Sequence, residues 1–389
     1  MPRFVFVLAL AMGAPGALAQ SFSSFALPEL PVSPHEASVA QALAASSSDN
    51  PYVLRHNPAF LADAGERPSF RLGASVAPEV FGSDDLLIRS AAGSVGVHAG
   101  EVGGGALRIG LGGGYSEYSA SSVRITNPGN TGFELYDTQE YEVSGGLALG
   151  WDGPVHVRAG AGVFSRQSLE MPVDLGAPSA SLLDRDRSTT LDVGAAVSYP
   201  LLRGPREPDT SGPEVEVMGA LVYRSAATIS EDIFERIFPD PRSSSGTRGS
   251  PPPTELVAGV GVRAALVRTV GRRGEFRIVE ADVRAQSHAL DALADEYRLG
   301  ATVVVAEILG LRAGVSRVDL RDQDARASLG AELRLGGIVR AVGVVQEKPA
   351  LLALSDRMTA RLEAALLNVG EELGETVYVG LVLGRRPSL

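Results

Sequence analysis

Few residues in this chain are of a type and spacing that could do chemistry. The five histidines stand at positions 35, 56, 98, 156 and 288 and show none of the short spacings that hold a metal ion. No Ser/His/Asp order can be defended. Cysteine is absent, which removes thiol chemistry, disulfides and Cys-zinc sites. Gly110-Leu111-Gly112-Gly113-Gly114 has the glycine density of a phosphate loop, but no Gly-Lys-Ser/Thr follows and its surroundings read as a strand. The carboxylates of the stretch 230–253 (Glu231, Asp232, Glu235) could hold a cation, yet the serines and prolines beside them fit a solvated loop better. The sequence thus offers no catalytic residues, no metal set and no cofactor site, and points away from an enzyme.

What remains is a scattered set of charged and polar groups: Glu142, His156, Arg158, Asp192, Arg263, Arg298, Glu332 and Arg334. Each falls on the polar side of a segment in which apolar and polar residues alternate. Such a set suits either a network of ion pairs inside a barrel or a lumen that selects what passes.

The alternation itself is the main structural signal. In 141–151 one face holds Tyr141, Val143, Leu147, Leu149 and Trp151, and the other holds Glu142, Ser144, Gly146, Ala148 and Gly150. The stretches 154–164 and 190–199 repeat the pattern. So do 256–266, 297–305 and 327–335, and Val377, Val379, Leu381 and Leu383 close the series. Period two places successive side chains on opposite faces of a strand. Many of the chain's 45 glycines sit within these runs, where strands use them at bends and close approaches.

The links between segments alternate too. Counting from Ser69, those after odd-numbered strands are long (78–86, 121–135, 170–186, 230–253, 287–294, 319–325). Those after even-numbered strands are mostly short (100–103, the hairpin turn Asp152-Gly153, 270–273, a break near Ile308, Gly336-Gly337), with 202–213 as an exception. Segments of about ten residues with tight turns at one end and longer loops at the other are the mark of an outer-membrane barrel. Near the C-terminus 338–346 reads as a strand. The stretch 355–368 reads either as a strand through Met358, Ala360, Leu362 and Ala364 or as a helix with Leu362, Ala365 and Leu366 on one face. An even strand number favours about fourteen.

The formal charge of −11 argues against a nucleic-acid partner. Beyond the first twenty residues no apolar run is long enough for a membrane helix. Those first residues read as a signal peptide, with Arg3, an apolar run from Phe4 to Met12, and a small-x-small site Ala17-Leu18-Ala19, which predicts cleavage after Ala19. One tryptophan and 6% aromatic residues are a thin supply for two interfacial girdles.

Between leader and strands stands 49–62, reading Asp-Asn-Pro-Tyr-Val-Leu-Arg-His-Asn-Pro-Ala-Phe-Leu-Ala. Its two Asn-Pro steps favour turns. Asp49 and Asn50, then Asn57, Pro58, Ala59, Leu61 and Ala62, resemble the acidic pair and the NPA…LA motif of the plug-to-barrel junction in the FadL and PorV/PorQ families of outer-membrane barrels. Phe60 stands where a glycine is usual. The resemblance implies an all-β fold, an antiparallel up-and-down transmembrane barrel of about fourteen strands over 67–389, with a short helical plug segment over 20–66. It implies a location in the outer membrane of a Gram-negative-type bacterium, surrounded by outer-membrane lipid. It also implies a hydrophobic small molecule as the cargo, gated by Asp49, Asn50, Asn57, Pro58, Ala59 and Leu61. Two alternatives stand beside it: a PorV/PorQ-like barrel that docks secretion-system proteins, and a soluble secreted β protein.

Overall fold

The computed structural model describes residues 30–46, 50–63, 69–80, 86–126, 133–172, 184–205, 207, 210–225, 254–269, 275–290, 296–318, 325–346, 348, 350–351, 354–355, 359–368 and 375–384. The expected signal peptide, Asp49 and the acidic stretch 230–253 lie outside the described residues.

Among the described residues the strands are β1 (Ser69–Glu79), β2 (Leu86–Val102), β3 (Gly105–Thr126), β4 (Phe133–Asp152), β5 (His156–Pro172), β6 (Asp184–Leu202) and β7 (Ser211–Arg224). They continue as β8 (Glu255–Thr269), β9 (Glu275–Leu290), β10 (Glu296–Val305), β11 (Leu309–Val318), β12 (Arg326–Arg334), β13 (Thr359–Asn368) and β14 (Glu375–Gly384). They follow one another in chain order, each antiparallel to its neighbours, and β1 pairs with β14 from Arg71↔Gly384 to Glu79↔Val377. The sheet is therefore a closed fourteen-stranded barrel. Closure leaves no edge whose N–H and C=O groups would need water.

The period-two pattern becomes an outer and an inner wall. On β14 Val377, Val379, Leu381 and Leu383 face out, while Thr376, Tyr378, Gly380 and Val382 face in. Large apolar side chains are exposed all round the outside, with Leu329 at 61% and Leu111 at 58%. A water-soluble surface does not carry a continuous apolar belt of this kind, whereas a bilayer-facing wall requires one. The aromatics that face outward lie near its two rims. Phe70, Trp151 and Tyr199 lie toward the end with short turns, and Tyr115, Tyr141, Tyr223 and Tyr297 lie farther toward the other. Between positions 151 and 141 a strand rising about 3.3 Å per residue at about 45° tilt climbs roughly 23 Å, close to the height of a bilayer's apolar band.

Several expected boundaries move. The strands β3 and β4 run well beyond ten residues, so the link between them shrinks from 121–135 to 127–132. The Asp152-Gly153 hairpin is a three-residue link, 153–155, because Asp152 still pairs with His156. The two-residue hairpin turn is instead Gly103-Gly104, both at positive φ (61° and 78°), which the β2–β3 turn requires.

The C-terminal assignments are corrected in kind. The expected strand 338–346 belongs to a helix, Leu335–Val345, and the ambiguous 355–368 holds strand β13. The count of fourteen survives because the two exchange roles. In the helix Gly337, Arg340 and Gly343 recur on the buried side at near-helical spacing, a period that β-branched residues disguised. In β13 Arg361 and Glu363 face in and Leu362 faces out, so the strand reading of that stretch was the correct one.

The N-terminal segment lies inside the barrel. It consists of α1 (Pro34–Ser38), α2 (Val53–His56) and a 3-10 turn (Pro58–Ala62). Among the described residues of the alanine- and serine-rich run 35–48, the α-helix is α1 alone. Beyond it Ala40 and Gln41 adopt positive φ (50° and 58°). Barrel side chains then take the backbone groups that a helix would have paired: Ala40 N donates to Ser328 Oγ at 3.2 Å, Ala44 N donates to Gln286 Oε1 at 3.0 Å, and Gln41 O accepts from Gln286 Nε2 at 2.9 Å.

Candidate functional site: the plugged lumen

The plug is seated on lumen-facing glycines. A Cβ added at Gly110 would stand 1.9 Å from the carbonyl oxygen of Leu61, one at Gly160 2.5 Å from that of Pro58, and one at Gly194 2.0 Å from Asn57 Oδ1. Across the barrel a Cβ at Gly314 would meet the backbone carbon of Val39 at 2.3 Å. These strands carry glycine on their inner face because another backbone passes there.

Asn57 fastens the motif. Its side-chain oxygen accepts from Ala59 N at 3.0 Å and caps the 3-10 turn, while its amide donates to Ala44 O at 3.0 Å. Pro58, Ala59 and Leu61 are buried, and Leu54, Phe60 and Leu61 pack with Phe164, Ala148 and Ala196 of the wall. Asn50 is buried and accepts from Tyr52 N at 3.0 Å. Of the expected gate residues only Asp49 lies outside the described residues.

The charged candidates divide into groups. Glu142 accepts from Arg55 of α2 at 2.9 Å and from Arg166 at 2.7 Å, so it ties plug to wall. Arg158 donates to Asp63, just beyond the 3-10 turn, at 3.0 Å, and meets Asp152 at 2.5 Å. His156 joins the same carboxylate at 2.9 Å, at the rim with short turns. Asp192 meets Arg224 at 3.3 Å, and Arg224 in turn donates to the Arg55 carbonyl at 2.7 Å. Arg298 reaches Gln41 of the plug at 2.9 Å and Glu296 at 2.5 Å. Glu332 and Arg334 pair at 2.5 Å within a cluster that includes Arg312, Arg361 and Glu363. Arg263 stands apart from the plug and pairs with Glu214 at 3.0 Å.

The partners on the plug were missed in the sequence. Arg55 and His56 lie within 49–62 yet carry no period to mark them, and Arg166 and Arg224 fall between the expected links but outside the stretches whose alternation marks a face. Arg166 sits two residues past the stretch that ends at Phe164, so a longer period-two count would have found it.

The titratable groups of the plug are shifted from their ordinary values by burial and by their partners. Burial alone would raise the carboxyl of Glu36, but His56 at 2.9 Å, the charge of Arg55 and the Val32 N–H at 2.8 Å hold it below its ordinary value. Burial pushes His56 down despite Glu36. Burial, reinforced by Arg312, Arg284 and Arg361, pushes His35 well below the ordinary histidine value. Burial raises the Tyr52 hydroxyl to about 12.

The lumen wall is not uniform. Toward the rim with the longer links an inward-facing apolar cluster gathers Ala77, Val80, Ile88, Ala365 and Tyr378 with Leu86, Tyr118 and Leu367, and Val32 and Tyr52 of the plug complete it. Glu142, Asp192, Arg224 and Glu255 line β4, β6, β7 and β8 instead.

These features define a class: a closed β-barrel with an apolar outer wall and a plug folded from its own N-terminal segment. No family model and no curated protein matches the chain. Among solved structures it is similar to the TodX deltaS2S3 mutant monoaromatic hydrocarbon channel (TM-score 0.44, 11% identity, 90% of this chain and 97% of that one). It is also similar to the Ralstonia pickettii toluene transporter TbuX (0.42, 11%, 89% and 96%). The translocator domain of autotransporter NalP from Neisseria meningitidis scores alike (0.42, 13%, 86% and 93%). Likenesses this distant, shared by carriers and a secretion translocator, add nothing to the barrel observed directly.

Proposed function

We propose that this chain is an outer-membrane channel for hydrophobic small molecules, with residues 30–63 as the gate. One observation carries the reading. The inner wall of a water-filled pore is polar, whereas here Val80, Ile88, Tyr118 and Tyr378 present an apolar surface to the lumen against Val32 and Tyr52 of the plug. Such a surface receives an apolar molecule and gives a hydrated solute nothing to bind. Passage then requires the plug to yield. The ion pairs of Glu142 with Arg55 and of Arg158 with Asp63, and the hydrogen bond from Arg298 to Gln41, are the contacts that would set when it does. Docking of secretion proteins would be carried by the long links 173–183 and 226–253, which lie outside the described residues.

The test is reconstitution in liposomes, with uptake of a monoaromatic hydrocarbon compared with that of a sugar of similar size. The hydrocarbon should enter faster than through protein-free vesicles, and Ile88→Asp should abolish that gain without altering barrel assembly. Equal passage of the sugar, or an Ile88→Asp variant that still carries the hydrocarbon at the parent rate, would refute the proposal.

A further inference from the structure

The helix Leu335–Val345, α3, joins β12 to β13 at the rim with short turns. Its buried side is small and specific. A Cβ at Gly337 would stand 1.7 Å from the carbonyl oxygen of Glu307, and Arg340 Nε lies 3.6 Å from the Glu307 carboxylate. Glu307 belongs to the β10–β11 turn, where Ala306 and Glu307 both hold positive φ (53° and 55°) without being glycine. The helix is thus held on one face by a fixed contact with a neighbouring hairpin.

Its other face is apolar and, among the described residues, uncovered. Leu335, Ile338, Val342 and Val345 recur at helical spacing and are exposed, Val345 by 82%. That face continues the outer wall of the barrel. Leu329 and Leu333 of β12 point outward, Leu335 follows two residues on with the same side exposed, and Leu309 of the neighbouring β11 is exposed beside them. A face continuous with a lipid-facing wall meets the same lipid. Lys348, the one lysine of the chain, stands exposed just past the helix, placed to meet a phosphate headgroup.

We propose that α3 is an interfacial anchor. It lies along the periplasmic surface of the outer membrane, with Leu335, Ile338, Val342 and Val345 in the phospholipid acyl region. There it fixes the barrel's depth and seals the β10–β13 sector of the rim. The inference rests on the reading of the barrel as a membrane protein.

The absence of cysteine makes the test direct. Single variants Ile338→Cys and Val345→Cys carry a nitroxide label, with Leu147→Cys on the outer wall of β4 as the reference. In vesicles of phosphatidylethanolamine and phosphatidylglycerol, label relaxation by dissolved oxygen, which partitions into lipid, is compared with relaxation by an aqueous nickel chelate. Oxygen should dominate at position 147 and, at a shallower depth, at 338 and 345. Oxygen dominance at 147 with nickel dominance at 338 and 345 would overturn the anchor while leaving the barrel reading intact. Labels at 338 and 345 that neither reagent reaches would show a protein covering the face, which also overturns it. Nickel dominance at 147 itself would overturn the membrane reading and the anchor with it. Ile338→Glu supplies a second readout: the barrel should still form but partition less completely into the vesicles.

Discussion

Gly160 lies on the inner face of β5 directly beneath the proposed gate, and a side chain there tests whether the plug is seated as described. A Cβ at this position would stand 2.5 Å from the Pro58 carbonyl oxygen, 2.6 Å from its carbon and 2.8 Å from Ala59 N. These are backbone atoms of a capped turn, so no flexible side chain can swing aside. Ordinary contact needs about 3.5 Å or more, so Gly160→Val must move the turn or the strand by about 1 Å. Overpacking of this kind costs about 1–3 kcal/mol. The strand is held by ladders to β4 and β6 along its length, whereas the plug is a single short segment, so the strain should fall on the plug. A shift of that size changes the ratio of seated to unseated plug about 5- to 150-fold. Arg55 reports the change. It is the one arginine or lysine between residues 30 and 63 and lies inside the barrel, with its guanidinium on Glu142. Trypsin should spare the bond after Arg55 in the parent protein and cleave it faster in Gly160→Val, with larger or more frequent conductance events in planar bilayers. Gly145→Ala, where an added Cβ meets nothing within 4 Å, is the control. A Gly160→Val barrel that migrates normally on an unheated gel, keeps Arg55 protected and conducts as the parent does would refute the seating of Pro58 on β5.

Acid should loosen the plug. His35 and His56 both sit below the ordinary histidine value of 6.5, so the released plug binds protons that the seated plug resists. The stability they contribute is full above pH 6.5 and lost as pH falls below it. Glu36, held below its ordinary value of 4.5, adds a second loss as pH falls further. Tryptic cleavage at Arg55 cannot be compared across that range, so conductance at pH 7.5 and pH 5 is the measurement, and His35→Gln should reduce the rise on acidification. Arg158→Ala removes contacts to Asp63 and Asp152 and should raise the open probability while the barrel still forms. Unchanged gating would limit Arg158 to the rim. Leu147→Arg places a charge in the middle of the outer wall and should destabilise the inserted barrel by about 2–4 kcal/mol in urea titrations from lipid vesicles. A loss below about 0.5 kcal/mol would show that this face is not lipid-exposed.

Sequence by itself determined the barrel. Side-chain alternation and backbone pairing are local to each strand, and Val377, Val379, Leu381 and Leu383 declare an outer face wherever the strand is placed. Glycines on the inner face were legible as close approaches, and Asn57-Pro58 as a turn, because both are properties of single residues. Other features depended on what stood opposite. That Gly110, Gly160 and Gly194 make room for a plug could not be read, since their partners lie far away in the chain. The plug's first helix stops at Ser38, and beyond it Ser328 and Gln286, far away in the chain, bond the backbone of Ala40, Gln41 and Ala44. Leu335–Val345 and β13 exchanged roles for the same reason. Their local propensities were nearly balanced, and contacts with Glu307 on one side and the ladders of β12 and β14 on the other decided between helix and strand.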